Sequence, residues 1–120
     1  MPGQVGFIEH KNKRILYIDF SNCELEDIVS IIGQSKQFIS KESQGTVLTL
    51  TNVTDARNNA AVVRVLKEFT TFNRPFVKAG AVVGIDGLKK AVFEAIVKFS
   101  GRKLAVHEDV EKAKDWLVEQ

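Results

Sequence analysis

The chain has 120 residues, 44% hydrophobic and 27% charged, a composition that supports a true core and excludes a disordered polymer. Its 17 basic and 15 acidic residues leave a net charge of only +2 and alternate along the chain. A one-signed face with interleaved aromatics is missing, so no nucleic-acid partner is expected.

The opening residues Met1-Pro2-Gly3-Gln4 lack the basic start and apolar run of a signal peptide. No apolar run approaches the ~20 residues that span a bilayer, so no transmembrane segment is expected. Cys23 is the only cysteine, and a lone thiol fits a reducing compartment. A cytoplasmic protein, one domain over residues 1–120, is the expectation.

Val5 to Glu9 and Arg14 to Phe20 read as strands. The stretch Lys11-Asn12-Lys13 is too short for a crossover, which makes them an antiparallel hairpin. Ser21-Asn22-Cys23-Glu24 has the form of a capping box that opens a helix. Leu25, Ile28, Val29, Ile32 and Ile39 set its apolar stripe, and it should stop before Gly45. The β-branched run Thr46 to Thr51 is a strand, followed by a polar loop from Asn52 to Asn59. Val62, Val65, Leu66 and Phe69 mark a second helix, ended by Arg74-Pro75.

Val77 to Ile85 is a continuous apolar run, as for a strand covered on both faces. Asp86 is placed to cap a third helix carrying Leu88, Ala91, Val92, Ala95, Ile96 and Phe99, ended by Gly101. Leu104-Ala105-Val106 is a fifth strand. Asp109 then caps a last helix with Val110, Ala113 and Leu117 inward and Trp116 beside them. The order β-β-α-β-α-β-α-β-α predicts an α/β fold. Its five-stranded sheet is mainly parallel, with one antiparallel edge from the N-terminal hairpin and about four helices.

In such a sheet, ligands gather outside the carboxyl ends of the strands. Those ends supply Asp19 and Ser21, then Thr54, Asp55, Arg57, Asn58 and Asn59, then Asp86, then His107 and Glu108. Ser21, Asp86 and Asp109 are accounted for as helix caps. Asp55 and Arg57 are not, because the asparagines suffice to start the helix. Arg57 can fork onto a carboxylate or phosphate beside a helix N-terminus. Thr54, Asp55, Arg57, Asn58, Asn59 and Asp86 are therefore the candidate binding residues.

Enzyme readings fail on missing constellations. The sequence has no Gly-x-Ser-x-Gly elbow and no Gly-Lys-Ser/Thr phosphate loop, and Gly80, Gly84 and Gly87 form no dinucleotide fingerprint. Two distant histidines and one cysteine make no metal site, and no cofactor is expected. Asp55 invites comparison with the phosphoacceptor of receiver domains. The opening hairpin and the missing late-strand lysine argue against it.

Two further features bear on partners. Phe93 and Val97 fall off the inward face of the third helix, and Ile31 and Phe38 flank the stripe of the first. Paired apolar residues of this kind predict a contact surface, and hence a homodimer or a docked protein. Phe69, Phe72 and Phe76 cluster around the end of the second helix, where a small apolar ligand is the alternative to ordinary core.

The hairpin followed by alternating helices and strands resembles the STAS domain, and more closely bacterial STAS-like proteins similar to the sporulation anti-sigma-factor antagonist. The stretches Thr46-Val47-Leu48-Thr49-Leu50-Thr51-Asn52-Val53 and Val110-Glu111-Lys112-Ala113-Lys114-Asp115-Trp116-Leu117 carry the resemblance. It implies a non-catalytic regulatory or protein-interaction module. The family's phosphorylated Asp-Ser-Ser-Gly motif falls on Arg57-Asn58-Asn59-Ala60, where there is no hydroxyl. A further likeness of such proteins to the CRAL-TRIO fold implies the alternative, a carrier or sensor of a small apolar ligand.

Overall fold

The computed structural model describes residues 3–86 and 103–120. Strands β1 (Gln4–His10) and β2 (Lys13–Asp19) form the predicted hairpin. Lys11 and Asn12 both take positive φ, 49° and 69°, the two-residue turn whose twist matches that of paired strands. The antiparallel register sets Phe7 opposite Leu16 and Ile8 opposite Ile15.

Helix α1 (Leu25–Ile39) leads to β3 (Val47–Asn52), and α2 (Ala60–Asn73) leads to β4 (Val77–Val83). Strand β5 (Leu104–His107) precedes α3 (Val110–Val118). The sheet order is β1-β2-β3-β4-β5, antiparallel only between β1 and β2. Crossovers that advance the same way across a sheet place their helices on one face. Accordingly α1 and α2 pack on Leu16 and Ile18, while α3 packs on Ile15, Leu48, Leu50, Ala79, Ala81 and Val83. Gly80 lets the flanking strands close in: a Cβ there would lie 2.8 Å from Leu104 Cδ2 and 2.9 Å from Thr49 Oγ1.

The local readings need three corrections. The cap of α1 is Glu24, paired reciprocally with Asp27, and not Ser21. Ser21 instead donates its backbone N–H to the Asp19 carboxylate at 2.9 Å. The inward stripe of α1 is Ile28, Ile31, Ile32, Ser35 and Ile39, and Val29 stands half exposed. Ser35 can be buried because its hydroxyl donates to the Ile31 carbonyl at 2.7 Å.

The third correction concerns the expected contact surface. Ile31 is 3% exposed and belongs to the core. Phe38 is half-buried and meets Phe7 of β1 edge to face, with ring centroids 5.8 Å apart. Phe7 of the hairpin covers Phe38 and the core takes in Ile31, so neither is a free docking residue. The other pair, Phe93 and Val97, lies outside the described residues, as does the third helix expected after Asp86.

The hairpin tip is also fastened to α3. His10 Nε2 and Lys11 Nζ reach one oxygen of Asp115 at 2.7 and 3.0 Å, and Lys13 Nζ donates to the Val118 carbonyl at 2.7 Å. Hydrogen bonds from His10 and then Lys11 hold the Asp115 carboxyl below its ordinary value. A depressed carboxylate stabilises the fold above its ordinary pKa, and the gain is lost as pH falls through the depressed value.

Two outcomes are expected. Ile31→Ala lowers unfolding free energy by about 2–4 kcal/mol in urea titrations, and Ile31→Glu unfolds the chain rather than dissociating a dimer. Asp115→Asn flattens the acid limb of the stability profile below about pH 4. It changes stability at neutral pH only slightly, because the pair is exposed.

Candidate interaction edge

The backbone ladder does not stop at the carboxyl ends of the strands. Phe20 N–H donates to the Asn52 carbonyl at 2.8 Å, Asn22 N–H to the Thr54 carbonyl at 2.9 Å, and Arg57 N–H to the Cys23 carbonyl at 2.8 Å. On the other side, Val53 N–H reaches the Val83 carbonyl at 2.9 Å. The loop after β2 and the loop after β3 thus run side by side as one edge.

Asn52 organises this edge from inside. Its side-chain oxygen accepts from the Thr54 N–H at 3.0 Å and the Thr54 hydroxyl at 2.7 Å. Its amide donates to the Tyr17 hydroxyl at 3.1 Å. Asn22 and Asp55 turn the two loops in left-handed conformations, φ 58° and 53°. Gly84 does the same at φ 94°, and a Cβ on it would lie 2.4 Å from both the nitrogen and the hydroxyl of Thr54. Only glycine allows the loop to settle on the end of β4.

The predicted residues sort by what they already do. Asn59 caps α2, accepting from Val62 N–H at 2.9 Å, and the Thr54 hydroxyl is committed to Asn52. Arg57 Nε lies 3.3 Å from a Glu24 oxygen, both side chains largely exposed. An exposed pair of this kind is worth at most about 1 kcal/mol and opens readily. Asp55 and Asn58 are exposed and make no side-chain hydrogen bond or ion pair among the described residues. Asp86 is exposed at the end of β4. His107 sits apart from this group, its ring 5.5 Å from that of Trp116 on α3.

The segments at this end of the sheet are rich in acidic residues, with Asp19 closing β2, Glu24, Glu26 and Asp27 at the start of α1, then Asp55 and Asp86. Cys23 is 1% exposed, and its thiol is pushed up by burial and further by Asp27 and Asp19. A buried thiol kept protonated is a poor nucleophile. Among the described residues no three His, Cys, Asp or Glu side chains are placed to hold a metal ion. Sequence reasoning placed Asn52 at the start of the loop and Glu24 in the capping box without their roles as hub and N-cap. It also ran the fourth strand on to Ile85, whereas β4 ends at Val83 because Gly84 turns the chain at positive φ.

Gly84→Ala is expected to cost about 1–3 kcal/mol through strain at its positive φ and collision with Thr54. Amide hydrogen exchange should rise first at Thr54 and Arg57, reporting that the loop has lifted from β4.

Comparison of the sequence with protein families and with curated proteins finds no match. Comparison of the fold does. An uncharacterized protein of the DUF3478 family from Shewanella loihica PV-4, described as having a SpoIIAA-like fold, superposes with a TM-score of 0.80. The match covers 97% of this chain and 94% of that one at 14% identity, a likeness of fold. The chain is an α/β protein with a SpoIIAA-like fold, the architecture that the STAS-like resemblance implied.

Proposed function

We propose that this chain is a non-catalytic, STAS-like interaction module that docks a protein partner through the edge built by residues 19–27 and 52–59. The observation that carries the reading is the contrast at that edge between a fixed backbone and uncommitted side chains. Cross-loop hydrogen bonds hold the main chain, while Asp55, Asn58 and the weakly paired Arg57 face solvent. A preorganised edge loses little conformational freedom on binding. Its acidic surround favours a partner with a basic contact patch.

The apolar-carrier reading is less well supported. Phe69 is 3% exposed in the core, and Phe72 packs against Phe76 with centroids 6.0 Å apart. The Lys36 ammonium lies 5.1 Å above the Phe72 ring. These phenylalanines are thus engaged with one another and with α1 rather than lining a ligand cavity. Asn59, at the place of the family's phosphorylated serine motif, serves as a helix cap. Occupancy by a partner, rather than phosphorylation there, fits that residue.

The test is site-directed photo-crosslinking in the source cell. A photoreactive residue at Asp55 should trap a discrete protein, and one at Lys67 on the exposed side of α2 should not. Asn58→Lys should reduce capture about tenfold, equivalent to ~1.4 kcal/mol. A lipid-sized molecule carried through native mass spectrometry, with no protein adduct at Asp55, would overturn the reading in favour of a carrier.

A further inference from the structure

The end of the sheet opposite the interaction edge has chemistry that the proposed function leaves unused. Lys13 and Arg14 open β2, Val47 opens β3, and Lys78 lies at the start of β4. Together with Phe7 and Glu42 they line a cleft of about 300 Å³. That volume lies at the small end of ligand sites, enough for a small organic molecule.

Arg14 is fixed there twice over. It pairs with Glu42, and its guanidinium carbon lies 4.2 Å from the centre of the Phe7 ring. The Lys13 ammonium gives one of its three hydrogens to the Val118 carbonyl at 2.7 Å and keeps two. Lys78 is exposed and makes no ion pair among the described residues. Glu42 offsets Arg14, which leaves the ammonium groups of Lys13 and Lys78 without an ion pair among the described residues, in a concave place that Gln120 also lines. Helix dipoles account for cations on the last turns of helices. That explanation covers Lys13, which reaches the last carbonyl of α3, but not Arg14 or Lys78, which lie on strands.

Two ammonium groups without an ion pair suit a dianion. A phosphate monoester carries about −1.5 to −2 near neutral pH and offers acceptor oxygens to ammonium hydrogens. Phe7 and Val47 supply an apolar wall for the organic part. We propose that this cleft binds a small organic phosphate monoester, its head held by Lys13 and Lys78 beside the fixed Arg14. The site is independent of the interaction edge.

The probe is phenyl phosphate, followed by amide NMR shifts in the full chain. Saturable shifts are expected at Phe7, Val47 and Lys78, with a Kd on the order of 0.1–1 mM, and none at Asp55 to Asn59. Lys78→Ala should weaken binding about tenfold, while Glu42→Gln, which frees Arg14, should tighten it. Lys67→Ala, a charge removed elsewhere, should leave it unchanged. Benzoate, with one charge, should bind about tenfold more weakly.

Sedimentation with phosphatidylcholine vesicles containing phosphatidic acid identifies the source. Co-sedimentation assigns a lipid headgroup, and its absence assigns a soluble ester. The proposal is overturned if phenyl phosphate gives no saturation below about 10 mM. It is equally overturned if Lys78→Ala, with an unchanged melting temperature, binds as the wild type does.

Discussion

Strand β3 is the element to which everything else is attached. It pairs with β2 through Thr49 to Asn52 and with β4 along its whole length. Its side chains alternate between the two layers: Val47 joins the core under α1 and α2, while Leu48 and Leu50 join the core under α3. A strand buried on both faces cannot slip by one residue without exchanging its two cores. The register of β3 therefore fixes where the strands on each side begin and end. Its last residue, Asn52, then carries that order out of the sheet by holding Thr54 and Tyr17. The fixed backbone of the candidate edge is thus inherited from the core and not built by the loops alone.

The near-neutral total charge conceals a segregation along the strand axis. Acidic groups collect where the parallel strands end, and strand-borne cations collect where they begin. Part of this follows from the helices. Glu26 and Asp27 in the first turn of α1, and Glu111 in that of α3, meet positive helix ends, and Lys36 meets the negative end of α1. Lys13 meets the negative end of α3 through the Val118 carbonyl, and Arg14 is paired with Glu42, which leaves Lys78 as the one of the three cleft cations with neither cause. Charges that the fold does not need are the ones to weigh as ligand or partner contacts.

The sequence made the sheet legible because its strands are β-branched or continuous apolar runs and its connections alternate regularly. The hairpin, the parallel order and the caps Asn59 and Asp109 all follow from local patterns. The first helix was harder. Ser35 breaks the apolar stripe in sequence but not in space, because its hydroxyl is satisfied four residues back. Ignoring it rotates the inferred face toward Val29 and turns Ile31 into a surface residue. Ser21 offered a good cap, yet Glu24 and Asp27 satisfy each other one turn later. The sequence contains both possibilities, and tertiary placement of Cys23 in the core selects between them. The candidate loop was legible from topology. Its hub Asn52 was not, since its partners come from β2 and from the next turn.

The cleft at the opposite end was illegible for a different reason. Lys13, Arg14, Val47 and Lys78 are separated by whole crossovers in the chain, and only the parallel register brings the starts of β2, β3 and β4 level. Read locally, Lys11-Asn12-Lys13-Arg14 is merely a solvated turn. The register also explains why the two sites need not compete. Each strand contributes its first residues to one and its last residues to the other, so the length of the sheet separates them. Communication between the two proposed sites would have to run through the core that β3 is buried in. A switch would need a second arrangement of that strand. Its double burial opposes one, so the physics favours independence of the two proposed sites.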